Sequence, residues 1–172
     1  MSSKLVLVLV LVLVLDLIGC GGSTKRTSTR VIPTPSVQVG QCGEPGRDGV
    51  MGGSPKVDRA DRDLDGDSIV ENIVVDRGMC TSDGNCYWNV FRSPREGSSE
   101  CSRYVGTFAG AALEPLADKG EDNMRDVRGY WNLQGGRLLL QSYRFVRGGY
   151  QLTDALLCKR AADDRLECAE DQ

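Results

Sequence analysis

Hydrophobic and polar residues follow three different rules along this chain. Leu5 to Leu15 is an unbroken Leu/Val run. Residues 21 to about 54 are rich in Gly, Ser, Thr and Pro and have almost no apolar periodicity. Beyond Pro55 short apolar runs alternate with Gly and Asp. Ile69, Glu71, Ile73 and Val75 alternate with Val70, Asn72, Val74 and Asp76, the period-two pattern of a strand with one buried face. Cys86 to Arg92 (CYWNVFR) is β-branched and aromatic, a second strand. Arg103 to Phe108 and Ala111 to Leu116 flank Ala109-Gly110, which reads as a two-residue hairpin. Ala112 to Lys119 is the one stretch compatible with a turn of helix, and Pro115 limits it. Val127, Gly129, Trp131 and Leu133 share one face of a further strand. Gln134-Gly135-Gly136 turns the chain into Arg137 to Arg147, Gly148-Gly149 into Tyr150 to Lys159, and Asp163-Asp164 into Arg165 to Ala169. The pattern predicts an all-β domain: an antiparallel meander of about seven or eight strands, closed into a small barrel or folded into a sandwich.

The first run carries targeting chemistry. A positive start (the α-amino group and Lys4), an apolar stretch and small residues at its end form a secretory signal peptide. Its eleven residues span roughly 16 Å as a helix, about half a hydrocarbon core, too short to cross a bilayer. Leu17-Ile18-Gly19-Cys20 resembles the lipobox of bacterial lipoproteins, with Asp16 the one departure from the usual apolar pattern. The resemblance implies that residues 1–19 are removed and that Cys20 becomes the mature N-terminus, carrying a diacylglyceryl thioether and an N-acyl chain such as palmitate. Two or more acyl chains hold a protein on a membrane stably. Gly21 stands where lipoproteins kept at the inner membrane usually carry Asp, so the resemblance favours the cell outer membrane. The expected organisation is a signal peptide (1–19), a flexible tether (20–54) and one folded domain (55–172).

Removing Cys20 from the count leaves Cys42, Cys80, Cys86, Cys101, Cys158 and Cys168. An even number in an exported chain of few aromatics points to disulfides that staple a thin core. Cys80–Cys86 fits around the turn Ser82-Asp83-Gly84-Asn85, Cys158–Cys168 fits across a hairpin at Asp163-Asp164, and Cys42–Cys101 follows by elimination. The net charge of −3 comes without an acidic or basic block, so nucleic acid is not an expected partner.

Asp61 to Val75 reads DRDLDGDSIVENIVV. Carboxylates at every second position around a Gly are what a hard cation such as calcium requires, oxygen ligands converging from one tight loop. A frame starting at Asp61 has the EF-hand order Asp61, Asp63, Asp65, Gly66, but puts Asn72 where a bidentate Glu belongs. A frame starting at Asp63 supplies Asp63, Asp65, Asp67, a carbonyl near Ile69, and Glu71, with a strand following at once. This frame is preferred. It resembles the loop of FG-GAP and VCBS-type calcium-binding repeats, with Ser68 in place of the usual second Gly. That family's propeller is not expected, because the loop occurs once and no 40-to-50-residue period exists. The alternative is a solvated acidic turn capped by its own Asp side chains.

The chain contains no His, which removes Ser-His and Cys-His catalysis. Carboxylate pairs such as Glu114/Asp118 or Glu121/Asp122 are the remaining catalytic candidates, and the expectation is that the protein is not an enzyme. Tyr87, Trp88, Tyr104, Tyr130, Trp131 and Tyr143 offer a binding stripe, with one member of each adjacent pair (Tyr87/Trp88 and Tyr130/Trp131) expected in the core. The expected function is that of a calcium-stabilised envelope lipoprotein with a structural or binding role toward an unknown envelope protein or polymer. The competing reading is an inhibitor of an exported hydrolase, similar to lysozyme-inhibitor lipoproteins, presenting Asp83 on the Cys80 to Cys86 loop.

Overall fold

The structure, a computed structural model, describes residues 37–46, 57–162 and 165–170. Cys20, the signal segment, most of the tether and the Asp163-Asp164 turn lie outside the described residues.

Among the described residues, nine strands form two antiparallel sheets, each a simple meander. The first sheet contains β1 (Val57–Arg59), β2 (Asn72–Asp76), β3 (Cys86–Arg92) and β4 (Arg103–Gly110) in that order. The second contains β5 (Ala112–Lys119), β6 (Arg125–Leu133), β7 (Arg137–Val146), β8 (Gly149–Arg160) and β9 (Leu166–Glu170). The arrangement is a sandwich and not a closed barrel, with more strands than the seven or eight expected. Side chains at alternate positions of both sheets fill the space between them: Ile73, Val75, Trp88, Val90 and Phe108 from one, Val127, Tyr143, Phe145 and Tyr150 from the other. Phe108 meets Tyr150 edge-on at 4.7 Å between centroids, so aromatic contacts join the sheets at their centre.

The hairpin expected at Ala109-Gly110 is a corner instead. β4 and β5 belong to different sheets, and Ala111 carries the chain across. The Ala111 N–H donates to the Tyr130 carbonyl at 2.7 Å, and the Trp88 indole N–H donates to the Gly110 carbonyl at 3.1 Å. A side chain on Gly110 would meet the Tyr130 backbone at 2.8 Å, so this glycine serves close approach of two strands and not a tight turn. β5 is a strand, as the run Ala111 to Leu116 suggested, and not the turn of helix that Ala112 to Lys119 could also have held. It lies at the edge of its sheet, where Pro115 removes no ladder bond that the sheet needs. The β7–β8 turn is one residue earlier than Gly148-Gly149: Arg147 and Gly148 take φ of 53° and 78°, the pair of left-handed residues a tight hairpin demands.

Residues 37–46 correct the tether assignment, because they lie along β4. Cys42 bridges to Arg103, the Gly40 N–H donates to the Tyr104 carbonyl at 2.8 Å, and the Tyr104 N–H donates to the Gln41 carbonyl at 3.0 Å. Val37 packs on Val74, Phe91 and Tyr104, a second small cluster on the outer side of the first sheet. The segment therefore covers both an exposed strand edge and an apolar outer face. Composition hid this, since one disulfide and one valine are enough to hold a Gly-rich segment in place. The disulfides join Cys42 to Cys101, Cys80 to Cys86, and Cys158 to Cys168. The last pair are direct cross-strand neighbours on β8 and β9.

Candidate metal centre

The acidic segment closes the β1–β2 hairpin. Arg62 and Glu71 bridge its base through paired backbone bonds of 3.2 and 2.8 Å, and Ala60 donates to the Ile73 carbonyl at 2.8 Å. Above the bridge the chain turns through Gly66 and Ser68, with φ of 85° and 73°. A left-handed Ser costs more than the Gly usual at this place, and local bonds offset it. Asp63 accepts from the N–H groups of Gly66 (2.7 Å) and Ser68 (3.1 Å), Asp65 from Asp67 (3.1 Å), and Asp67 from Ile69 (2.8 Å). These are Asx-type turns, so the self-capping chemistry is present.

The loop is also anchored from below. Leu64 is fully buried in the core, and its carbonyl accepts the Arg125 N–H at 2.7 Å. The Asn123 side chain donates to the Asp65 carbonyl at 2.8 Å. Arg92, at the end of β3, donates to Asp65 Oδ2 at 2.9 Å and to Asp122 Oδ2 at 2.8 Å. Nothing in the residue pattern singles out Arg92 or Asn123, because both reach the loop from other strands or turns.

Of the five predicted ligands, Asp63, Asp65 and Glu71 come together: one carboxylate oxygen from each lies within 4.8 Å of the others. That spread suits a cation coordinated at about 2.3–2.6 Å. Asp61 and Asp67 stand apart from this trio. Asp61 is occupied on both oxygens, by the Arg59 guanidinium at 2.9 Å and the Ile73 N–H at 3.0 Å. It braces the hairpin, because Arg59 on the preceding strand outcompetes the loop centre for its charge. Asp67 is exposed and held by its own turn.

Glu71 is 2% exposed and accepts the Leu64 N–H at 2.8 Å. Burial, reinforced by the Asp65 and Asp67 charges, pushes its carboxyl up to about 7, although the Leu64 bond pulls the other way. Asp65 is 7% exposed. Three carboxylates thus crowd one partly dry point with one guanidinium, Arg92, to offset them, and a divalent cation is the chemistry that would let all three ionise. The donor set, all hard oxygen, fits calcium.

Comparison with protein-family models, curated proteins and solved structures found no match for this chain. The site must therefore speak through its own chemistry.

The acidic loop forms one wall of an open polar cleft of about 530 Å³. Asp67 and Arg92 line it on the loop side, with Arg95, Glu100 and Arg103 completing it. The carboxylate pairs considered for catalysis are drawn into other contacts. Glu114 accepts from the Tyr130 hydroxyl, Glu121 from the Arg147 N–H at 2.6 Å, and Asp122 from Arg92. Among the aromatic pairs, Trp88 is buried and Tyr87 half-buried. Tyr130 and Trp131 are both half-buried: Tyr130 packs against the small core cluster of Leu138, Leu140 and Cys158, and Trp131 meets Tyr87 with centroids 5.3 Å apart.

Proposed function

We propose that this chain is a lipoprotein of the bacterial envelope, held on a membrane (the outer one favoured) through acyl chains on Cys20. Its β domain is stabilised by calcium and has a structural or binding role, not a catalytic one. The convergence of Asp63, Asp65 and Glu71 on one point carries the calcium reading. In this reading the ion neutralises the loop and stiffens the wall of the arginine-lined cleft, where an envelope protein or polymer would bind. The anchor reading is supported by residues 1–20 of the sequence alone.

Calcium binding is tested by thermal melting. EGTA should lower the melting temperature by about 4 °C relative to millimolar calcium, as expected for a site of submillimolar affinity. Asp63→Asn should abolish that difference; identical melting with and without EGTA in the parent chain would remove the metal. For the anchor, Cys20→Ser should move the protein from the membrane to the soluble fraction, and persistent membrane attachment would contradict lipidation.

A second reading, inhibition of an exported hydrolase, is favoured by the rigidity of one loop. Cys80–Cys86 closes it, Thr81 donates to the Asn85 carbonyl at 2.8 Å, and Asn85 exchanges side-chain bonds of 2.9 and 2.6 Å with the Asn132 backbone. Asp83 sits exposed at its tip, where a basic cleft could receive it.

A further inference from the structure

We propose that the gap between the two sheets, where the β1–β2 hairpin and β5 both line it, binds a short-chain fatty acid. The sheets touch closely where Gly129 of β6 meets Ala109 of β4. Away from that contact lies a partly open pocket of about 200 Å³, distinct from the polar cleft beside the acidic loop. Ile73, Trp88, Val127 and Leu113 give it an apolar lining. Small residues leave the space open: the half-buried Ala60 and Ala111 line it, and the exposed Ala112 stands at its mouth. Pro115 also lines it, and the β5–β6 pairing turns irregular just beyond Pro115, so this wall is not tied continuously to its neighbour.

The lining selects the ligand. A sugar or nucleotide placed among these side chains would leave its hydroxyls without partners, whereas an alkyl chain loses nothing by leaving water. At roughly 30 Å³ for a group the size of a water or methylene, the cavity accepts about six or seven carbons. Two arginines complete the wall, and they differ. Arg77 is engaged: it donates twice to Asp58 and its guanidinium lies 5.4 Å over the Trp88 ring. Arg62 is exposed, and its guanidinium makes one hydrogen bond, to the carbonyl of Asp61, with no carboxylate partner among the described residues. A guanidinium with no carboxylate partner among the described residues, beside apolar side chains, matches a carboxylate at the end of an alkyl chain. Acids of six to eight carbons satisfy both requirements.

Trp88 lines the cavity and reports on it directly. The full chain carrying Trp131→Phe, which leaves Trp88 as the sole indole, should show a saturable change in emission when titrated with sodium octanoate. Butyrate should bind at least tenfold more weakly, since each buried methylene is worth about fourfold. Octanol should also bind more weakly than octanoate, and Arg62→Gln should erase that preference while leaving octanol binding unchanged. Ala60→Leu, which enlarges a half-buried side chain of the lining, should abolish the response to both. If Ala60→Leu fails to fold, the exposed Arg62→Gln still decides the matter. A linear, unsaturable response, equal binding of octanoate and octanol, or an Arg62→Gln protein that still prefers the acid would each overturn the proposal.

Discussion

Gly129→Ala should destabilise the domain by about 3 kcal/mol, although it adds a single methyl group. Gly129 lies in β6, and its backbone does not require the left-handed conformation. What it supplies is absence. A Cβ there would fall inside the contact distance of the Ala109 carbonyl oxygen, and within 3.5 Å of the Tyr143 ring. Neither neighbour can retreat freely. The Ala109 N–H donates to the Tyr143 hydroxyl at 3.0 Å. Just beyond, the Ala111 N–H is fixed on the Tyr130 carbonyl. The methyl would wedge the two sheets apart where the chain passes from one to the other, loosening the packing of Phe108 on Tyr143 and Tyr150. Urea unfolding of the variant measures the cost. A loss below about 0.5 kcal/mol, the range of ordinary surface substitutions, would mean the sheets do not approach this closely.

The second large effect is a pH dependence centred on Glu71. Its carboxyl is raised from the ordinary 4.5 to about 7 in the folded protein, first by burial. Between those two values the folded state holds a proton that the unfolded state has released, so stability falls as pH rises across this window. The loss begins near pH 4.5 and is complete above pH 7, and amounts to about 3 kcal/mol. Metal-free protein should accordingly be harder to unfold in urea at pH 5 than at pH 8, insofar as Glu71 governs the difference. Glu71→Gln isolates that contribution: it should match the parent near pH 4.5 and exceed its stability by up to about 3 kcal/mol at pH 8. Calcium, binding the ionised form, should restore the parent at pH 8 far more than at pH 5, and should do little for the Gln variant. Parallel pH profiles for parent and variant in EGTA would sink this account of the buried carboxylate.

The loop shows how far residue spacing reaches. Alternate carboxylates around Gly66 identify the segment, and Glu71 at the ninth position is where the structure places the most deeply buried member of the trio. Spacing could not foresee that Asp61 would turn to Arg59, or that Arg92 would arrive from β3 to bond Asp65. Both outcomes depend on which strand lies beside the loop, and strand order is not a local property. A missed strand has a related cause. β1 is three residues long without an apolar alternation. It is a strand because a neighbour offers it a ladder of hydrogen bonds, not because its own residues prefer the conformation.

The sequence by itself determined what depends on residues near one another in the chain. Period-two alternation specifies β2 and β6, because a half-buried strand must bury every second side chain, and apolar runs bounded by turn residues specify β3, β7 and β8. Six residues around a turn are enough to bring Cys80 to Cys86. The tertiary structure decided what depends on distant partners. It separated β4 from β5 into different sheets, since Gly110 and Gly129 let the backbones of β4 and β6 approach where a hairpin had seemed natural. It drew residues 37–46 onto β4, because an uncovered edge and the apolar face formed by Val74, Phe91 and Tyr104 are satisfied by that segment. It also chose three carboxylates from five, and left Arg62 beside a cavity that only the meeting of two sheets could create. Burial and hydrogen-bond satisfaction are summed over the whole fold, and that sum is what residue order alone does not display.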